Sequence, residues 1–306
     1  MSKIAYLILA HTDPDHLNRL INSLNYNCDF YIHIDGKSSL EYFSELSQYS
    51  NVTFCLERKS IYWADRSMID ATLELIKIAL ASNNSYCHLT LISGYCYPIK
   101  TANDISSFLN SSKDKQFMKF VDMRNCEKYI SFVKNKWFKE PFYKGSSLPI
   151  IYLDKILRRL MNMLQLKNKW NIHLVPYFGS QWWALTPECC RYILDYLASN
   201  PMYYEKFKYS FSPDEHFFHT IIGNSPFASQ CSGEIAIQEN RGENEYYLTN
   251  LHFTDPSLLK WFTTKDFDKI LLSEKLFVRK VSSSKSISLI DKLDTTIHNS
   301  DCSKHI

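Results

Sequence analysis

Residues 212–216, Ser-Pro-Asp-Glu-His, hold a carboxylate at a position that suits two roles. Ser212 with Glu215 three residues later matches a capping box, and Pro213 stands where a first helical residue would be. In that role Glu215 only satisfies a backbone N–H group. In the other, a helix N-terminus lowers the pKa of the carboxyl group, and an ionised Glu215 in a cleft is a general base. A cap also fixes a side chain, so the pattern leaves both roles open.

Two further stretches contain side chains that could bind a substrate. In LFVRK (276–280), the adjacent cations Arg279 and Lys280 could neutralise a phosphate, or they could lie on the solvated edge of a strand. In GSQWWALT (179–186), alternation along a predicted strand puts Trp182 and Trp183 on opposite faces. One indole would then be free to stack on a sugar ring, although a pair of core tryptophans fits the pattern equally well.

Several motifs of nucleotide and metal sites are missing. The chain has seven glycines and contains no GxGxxG, GxxxxGK[ST], GxSxG or HExxH motif. Its one D-x-D, Asp13-Pro14-Asp15, follows the first strand, where Asp15 is predicted to cap the first helix. None of the nine cysteines forms a CxxC pair. No metal site is therefore predicted.

The composition excludes some classes of protein. Of 306 residues, 45% are hydrophobic and 22% are charged, which is typical of a globular chain that buries a sizeable core. A net charge of +3 does not indicate a nucleic-acid partner. The N-terminal apolar run is too short for a signal peptide, and no stretch is long enough to span a membrane. With scattered cysteines, these features predict a cytoplasmic protein.

The hydrophobic pattern predicts an α/β fold with a Rossmann-like, mostly parallel central sheet flanked by helices. Predicted strands at 4–10, 28–35, 51–56, 86–94 and 117–121 alternate with predicted helices at 13–24, 38–46, 67–81 and 104–109. Further helices are expected at 150–166, 187–198 and 212–222. We expect one domain over residues 1–282 and a polar tail over 283–306, partly disordered apart from a short helix near 287–293.

In such sheets ligands bind outside the carboxyl ends of the strands. The polar residues that follow three of the predicted strands are His11, Asp35 and the Ser93-Gly94 turn. We therefore expect them to face one crevice.

Six motifs in order carry a family resemblance. HIDGKS, YWADRSMIDATLELIKIAL, LISGYCYPIK, GSQWWALT, SPDEHFFHTII and LFVRK together resemble the core-2/I-branching glycosyltransferase family over roughly residues 3–282. That family includes branching β-1,6-N-acetylglucosaminyltransferases and peptide O-xylosyltransferases. The resemblance implies a GT-A-type fold and inverting transfer of GlcNAc or xylose from a UDP-sugar, without a metal ion. It also suggests a soluble, bacterial member that works in surface-polysaccharide synthesis.

The resemblance assigns roles to individual residues. It implies that Glu215 is the catalytic base and that Lys280 binds the donor diphosphate, with Lys260 or Arg279 as a second cation. Asp35 matches a position near the uracil and ribose, and His11 is placed with it at the donor.

The acceptor and sugar pocket is assigned to a second set of residues. It consists of Gln181, Trp182, Trp183, Asp214 and Tyr95. One departure concerns the pattern S-G-x-D-x-P-I, in which Cys96 stands where the family has Asp. That change puts in doubt any donor contact made by the Asp, and with it the identity of the sugar.

The predicted helix at 150–166 has two interpretations. Lys155, Arg158, Arg159, Lys167 and Lys169 lie beside Ile151, Leu157, Leu160 and Met161. Such a helix could rest on anionic lipid at the inner membrane, where a lipid-linked glycan acceptor would be found, or it could be a partly buried structural helix. The competing class for the whole chain is a non-catalytic carbohydrate- or nucleotide-binding protein on the same fold.

Overall fold

The computed structural model describes residues 1–142, 147–168, 170, 173–237 and 245–303. The strands are β1 (Lys3–Ala10), β2 (Cys28–Ile34), β3 (Val52–Phe54), β4 (Tyr86–Ser93), β5 (Cys96–Pro98), β6 (Gln116–Asp122), β7 (Tyr177–Phe178), β8 (Ala184–Leu185), β9 (Cys231–Glu234), β10 (His252–Thr254) and β11 (Phe277–Arg279). The α-helices are α1 (Pro14–Leu24), α2 (Ser67–Ala81), α3 (Ala102–Ser111), α4 (Glu127–Lys134), α5 (Leu148–Met163), α6 (Pro187–Ser199), α7 (Pro201–Glu205), α8 (Phe217–Gly223), α9 (Phe267–Leu271) and α10 (Ser283–Ser303).

The central sheet has the strand order β3-β2-β1-β4-β8-β6-β7, with β9 beside β6. The first four strands run parallel, whereas β8 pairs antiparallel with β4 and β6. Strands β1, β2 and β4 are apolar along most of their length and are buried because helices cover both faces of the sheet. The predicted α/β fold with a mostly parallel central sheet is confirmed.

Several predicted elements differ from the structure in type or in length. The segment 179–186 forms a strand only at Ala184–Leu185, because its first residues cross the end of the sheet as an irregular segment. The helix expected at 38–46 is a 3-10 helix, Leu40–Gln48, whose N-cap is Ser39. The helix predicted at 67–81 is observed with the same bounds.

A second, three-stranded sheet positions the LFVRK motif. Strand β11 is its central strand, parallel to β10 and antiparallel to β5, and Arg279 pairs with Cys96 across the β11–β5 ladder. The motif is therefore not a solvated strand edge. Its apolar residues Phe277 and Val278 are fully buried.

The C-terminal segment is part of the same core. Helix α10 spans Ser283–Ser303, well beyond the short helix expected near 287–293. It buries Leu289, Ile290 and Leu293 completely in the cluster that also contains β1 and β2. The expected polar, partly disordered tail is thus a packed helix over its described side chains.

Asp13, rather than Asp15, caps helix α1. Its carboxylate accepts a hydrogen bond from the His16 amide at 3.4 Å, while Asp15 is an exposed first-turn residue. The same carboxylate accepts from the amide and hydroxyl of Ser283 at 2.9 and 2.5 Å. One side chain therefore stabilises the N-termini of α1 and α10 together, which fixes the start of α10 beside the carboxyl end of β1.

Across the described ranges, none of the helices is long and apolar enough to cross a membrane.

Candidate active site

The carboxyl ends of β1, β2 and β4 lie side by side at one edge of the sheet, and the region beyond them is called the crevice. Asp35 donates its amide to the Ala10 carbonyl at 2.9 Å, and Gly94 donates to the Leu9 carbonyl at 2.9 Å. A side chain at Gly94 would place its Cβ 2.9 Å from the Cβ of Ala10, so this crossing requires glycine. The ends of three neighbouring strands, and the polar residues that follow them, are thereby held together as expected.

The carboxylate of Asp35 organises the floor of this crevice. It is buried, accepts from the amides of Lys37 and Ile61 at 2.9 and 3.2 Å, and forms an ion pair with Lys37 Nζ at 3.2 Å. Three donors thus fix its position. A carboxylate has about four acceptor positions, so one remains for a ligand hydroxyl or N–H group.

A row of side chains forms one wall of the crevice. The His11 ring lies 5.3 Å from the ring of Tyr95, which lies 4.9 Å from that of Trp261. Lys285 Nζ sits 4.5 Å above the Trp261 ring. Burial lowers the pKa of His11, so this imidazole is neutral at neutral pH. The wall offers aromatic surface at the His11 end and positive charge at the Lys285 end.

Arg279 is a partly buried cation that forms no ion pair with an acidic side chain of the described residues. Its Nη1 donates to Ser93 Oγ at 2.5 Å, and its guanidinium carbon lies 4.5 Å from the centre of the Trp182 ring. Cys96 contacts it from the neighbouring strand, and no carboxylate of the described residues lies within ion-pair distance. Burial lowers the pKa of Arg279, yet a guanidinium stays protonated in proteins. Its uncompensated charge makes this end of the crevice attractive to an anion.

Lys280 and Lys285 add to the same positive field. Burial lowers the pKa of the half-buried Lys280, and the charges of Arg279 and Lys285 lower it further. An anion bound among these cations would relieve their mutual repulsion. Lys260, the other candidate, instead forms an ion pair with Asp266 at 2.5 Å. The structure thus offers Lys285 in place of Lys260 as a cation facing Lys280.

The segment around Glu215 is not built as a capping box. Ser212 has a left-handed backbone (φ 45°), and its side chain caps nothing. A 3-10 turn, Pro213–Glu215, precedes α8, which begins only at Phe217. Glu215 is fixed through its backbone: its amide donates to the Ser212 carbonyl at 3.0 Å, and its carbonyl accepts from the Gly179 amide at 2.8 Å. The predicted capping role is wrong, because Ser212 has a left-handed backbone and its side chain forms no capping hydrogen bond.

The carboxyl group of Glu215 has a raised pKa rather than the lowered one expected at a helix start. Burial disfavours the charged carboxylate and raises the pKa most, and repulsion by Asp214 raises it further. The charge of Lys128 lowers the pKa, but by less. Burial also raises the pKa of Asp214, to about 7, with Asp65 as a further negative neighbour. The helix dipole is weak here because only a three-residue turn precedes the break before α8. A carboxylate whose pKa is raised holds a proton more tightly, which suits a general base.

A four-residue segment joins the carboxyl site to the cationic site. Gly179 is hydrogen-bonded to Glu215, and Trp182 lies against Arg279. Three residue steps span at most about 10 Å, so the backbone that holds the Glu215 turn lies within about 10 Å of the residue that contacts Arg279. A Cβ at Gly179 would come within 2.3 Å of the Lys119 carbonyl oxygen and 2.5 Å of the His219 ring, so only glycine fits. This segment brings together the motifs that the sequence separates.

Of the other predicted pocket residues, some lie in the crevice and one does not. Gln181, within the connecting segment, has a buried amide nitrogen without a partner in the described chain. Trp182 and Tyr95 flank the cations, and Asp214 adjoins Glu215. Trp183 is fully buried and packs on Phe218, so its assignment to the pocket is wrong.

Three residues of the site escaped sequence reasoning. Lys285 and Trp261 lie near the LFVRK motif only after the chain folds, and neither stands in a motif that marks a ligand site. Asp65 lies within YWADRS and influences Asp214 from another element. Among the residues described, no cluster of three His, Cys, Asp or Glu side chains is placed to hold a metal ion.

Comparison with known proteins identifies the family of this chain. The model of the Core-2/I-branching enzyme family matches residues 4–238. Xylosyltransferase 2 of Rattus norvegicus is 26% identical over 233 residues, which are 73% of this chain and 25% of the rat protein. The xylosyltransferase of Ciona intestinalis is 25% identical over 231 residues, with the same two shares. A beta-1,3-galactosyl-O-glycosyl-glycoprotein beta-1,6-N-acetylglucosaminyltransferase of Bos taurus is 26% identical over 71% of this chain and 48% of its own length.

The sheet and its flanking helices are those of a GT-A-like α/β fold. The chain belongs to the Core-2/I-branching enzyme family, as the six motifs predicted. It spans about a quarter of the length of the xylosyltransferases that it matches and about half that of the bovine enzyme.

Proposed function

We propose that this protein is an inverting glycosyltransferase that moves a sugar from a UDP-sugar to a hydroxyl group of a glycan acceptor. The observation that carries the proposal is the connecting segment, which holds the Glu215 turn at one end and the Arg279 guanidinium near the other. Displacement of a diphosphate by a hydroxyl group requires a base and an anion site close to one another.

The proposed reaction assigns one task to each end of the crevice. Glu215 takes the proton of the acceptor hydroxyl, and the oxygen attacks the anomeric carbon from the face opposite the diphosphate. The bond to UDP breaks, and the configuration at carbon inverts. Arg279 and Lys280, with Lys285 beside them, neutralise the charge that develops on the leaving diphosphate, so no metal ion is needed. His11 and Asp35 face the nucleoside.

The relatives suggest the transferred sugar. Their names include xylosyltransferase and N-acetylglucosaminyltransferase, and we extend both donors to this chain as candidates. The acceptor would be a glycan, free or lipid-linked, of a surface polysaccharide or glycoconjugate.

A panel of UDP-sugars and free UDP tests the proposal. Thermal shift and slow donor hydrolysis are measured with and without a chelator. We expect UDP to raise the melting temperature in chelator and one sugar nucleotide to be hydrolysed. Stabilisation without hydrolysis or transfer to any glycan would favour the non-catalytic binding protein. A strict requirement for a divalent ion would contradict the metal-free scheme.

Cys96→Asp tests whether the uncompensated charge of Arg279 serves the donor. The new carboxylate would face Arg279 across the β5–β11 ladder and form an ion pair with it. We expect the affinity for UDP to fall by about tenfold, because the guanidinium would no longer be free for the diphosphate. Isothermal titration calorimetry measures the change, and Cys96→Ser is the uncharged control. Unchanged affinity in the Asp variant would show that Arg279 is not part of the diphosphate site.

A further inference from the structure

Helix α5 packs on the protein through its polar face. Asp154, Arg158 and Asn162 lie one turn apart on one side of the helix. Asp154 is buried and accepts from the Phe142 amide and from Arg158 Nε, both at 2.7 Å. Arg158 Nη1 donates to the Lys139 carbonyl at 2.7 Å, and Asn162 exchanges two hydrogen bonds with the backbone of Phe138. Polar contacts therefore hold the helix to the segment 138–142.

The opposite face of α5 is apolar and exposed. Its side chains recur at helical spacing and form one stripe, with exposed fractions of 51–71%: Tyr152, Leu153, Ile156, Leu160 and Met163. Leu164, just after the helix, is 64% exposed and extends the stripe. A surface helix normally buries this face and exposes the polar one. The inversion marks a surface that contacts something other than water.

The residues expected on this face need correction. Ile151, Leu157 and Met161 are half-buried, so they are not part of the stripe. Arg158 is engaged with Asp154, and Lys169 lies outside the described residues. The expected helix itself is present.

The charge beside the stripe indicates what covers it. Lys155 and Arg159 are exposed along its border, and the only acidic residue of the helix, Asp154, is buried and paired. A groove of about 510 Å³ runs between the helix and the segment 137–139 and adds Lys139 to the same positive region. Two copies of the chain meeting here would bring like charges together. An anionic lipid surface matches both the apolar stripe and its cationic border.

The groove leads towards the candidate base. Trp137 and Lys139 line the groove, and both lie against Phe211, at 5.0 and 4.7 Å from its ring centre. Phe211 lies two residues before the Pro213–Glu215 turn. The surface beside α5 is therefore connected through Phe211 to the segment that carries Glu215.

We propose that α5 docks the protein on an anionic lipid bilayer, with the stripe inserted among the lipids and Lys155 and Arg159 at the headgroups. The docking needs no donor or catalytic step, so it stands or fails separately from the proposed transferase activity.

Vesicle co-sedimentation tests the docking. The probes are vesicles of phosphatidylcholine alone and of phosphatidylcholine with phosphatidylglycerol. The full chain is expected to bind the anionic vesicles at least about tenfold better than the neutral ones. The double variants Ile156→Ser/Leu160→Ser and Lys155→Glu/Arg159→Glu should each reduce binding by about tenfold. Both change exposed side chains, so the fold should be kept, and circular dichroism checks this.

Matched controls use exposed residues far from α5. Leu272→Ser, at an 86% exposed position, and Lys269→Glu should bind as the unmodified chain does. Absence of binding to anionic vesicles would overturn the proposal, as would equal binding by the α5 variants. Light scattering tests whether a second copy of the chain covers the stripe instead. If the unmodified chain is a dimer and the Ile156→Ser/Leu160→Ser variant is a monomer, the stripe is a dimer interface and the proposal is overturned.

Discussion

Replacing Glu215 by Gln should lower the turnover number by about 10²–10⁴-fold while leaving the affinity for UDP unchanged. Gln has the same shape and can keep the backbone bonds to Ser212 and Gly179, but it cannot accept a proton. The comparison requires turnover with an acceptor and UDP titration on the same preparation. Near-normal turnover in Glu215→Gln would remove the general-base role.

The matched control is Glu188→Gln. Glu188 lies in the first turn of α6 and is exposed, with its carboxylate 3.4 Å from Arg191. The same change there should alter neither turnover nor the affinity for UDP. A loss of turnover in both variants would point to a general effect on the fold.

The pH dependence of turnover gives a second signature of the same group. Glu215 must be deprotonated to act as a base, and burial together with Asp214 raises its pKa. Turnover should therefore rise with pH at values above the ordinary titration range of a Glu carboxyl group. The neighbouring Asp214, with a pKa of about 7, loses its proton as part of the same pair and contributes to the profile. A flat profile from about pH 5 to pH 9 would contradict a base with a raised pKa.

Replacing Lys280 by Ala should lower kcat/KM by about 10²–10³-fold, the usual effect of removing one group that stabilises developing charge. Lys280 is half-buried among Arg279 and Lys285, where a diphosphate would be the compensating charge. Because the diphosphate is present in the ground state too, the affinity for UDP should also fall. Steady-state kinetics and calorimetry separate the two contributions.

Two control variants test whether the effect of Lys280→Ala comes from the loss of the charge at this position. Lys280→Arg keeps the charge and should retain more activity than Ala. Lys269→Ala removes an exposed lysine from α9 and should have no effect. If Lys280→Ala binds UDP as tightly as the unmodified chain, the cation would not contact the diphosphate.

The sequence by itself determined the central sheet and several helices. Strands β1, β2 and β4 are apolar runs between turn residues, and α2 has a regular apolar period, so their local patterns agree with their final environment. The order of six motifs also indicated the family, which residues 4–238 match. Both the hydrophobic patterns and the order of the motifs can be seen in the sequence without knowledge of tertiary contacts.

Only the tertiary structure decided how the candidate site is built. Asp13 caps two helices, and Lys285 rather than Lys260 faces Lys280, because contacts between distant segments select one of several suitable side chains. The pKa of Glu215 is raised because folding buries its carboxyl group beside Asp214, which outweighs the weak dipole of a three-residue turn. The exposed face of α5 was likewise decided by tertiary contacts. The periodicity of the sequence shows that the helix has two faces. Hydrogen bonds between the segment 138–142 and Asp154, Arg158 and Asn162 determine which face packs on the protein.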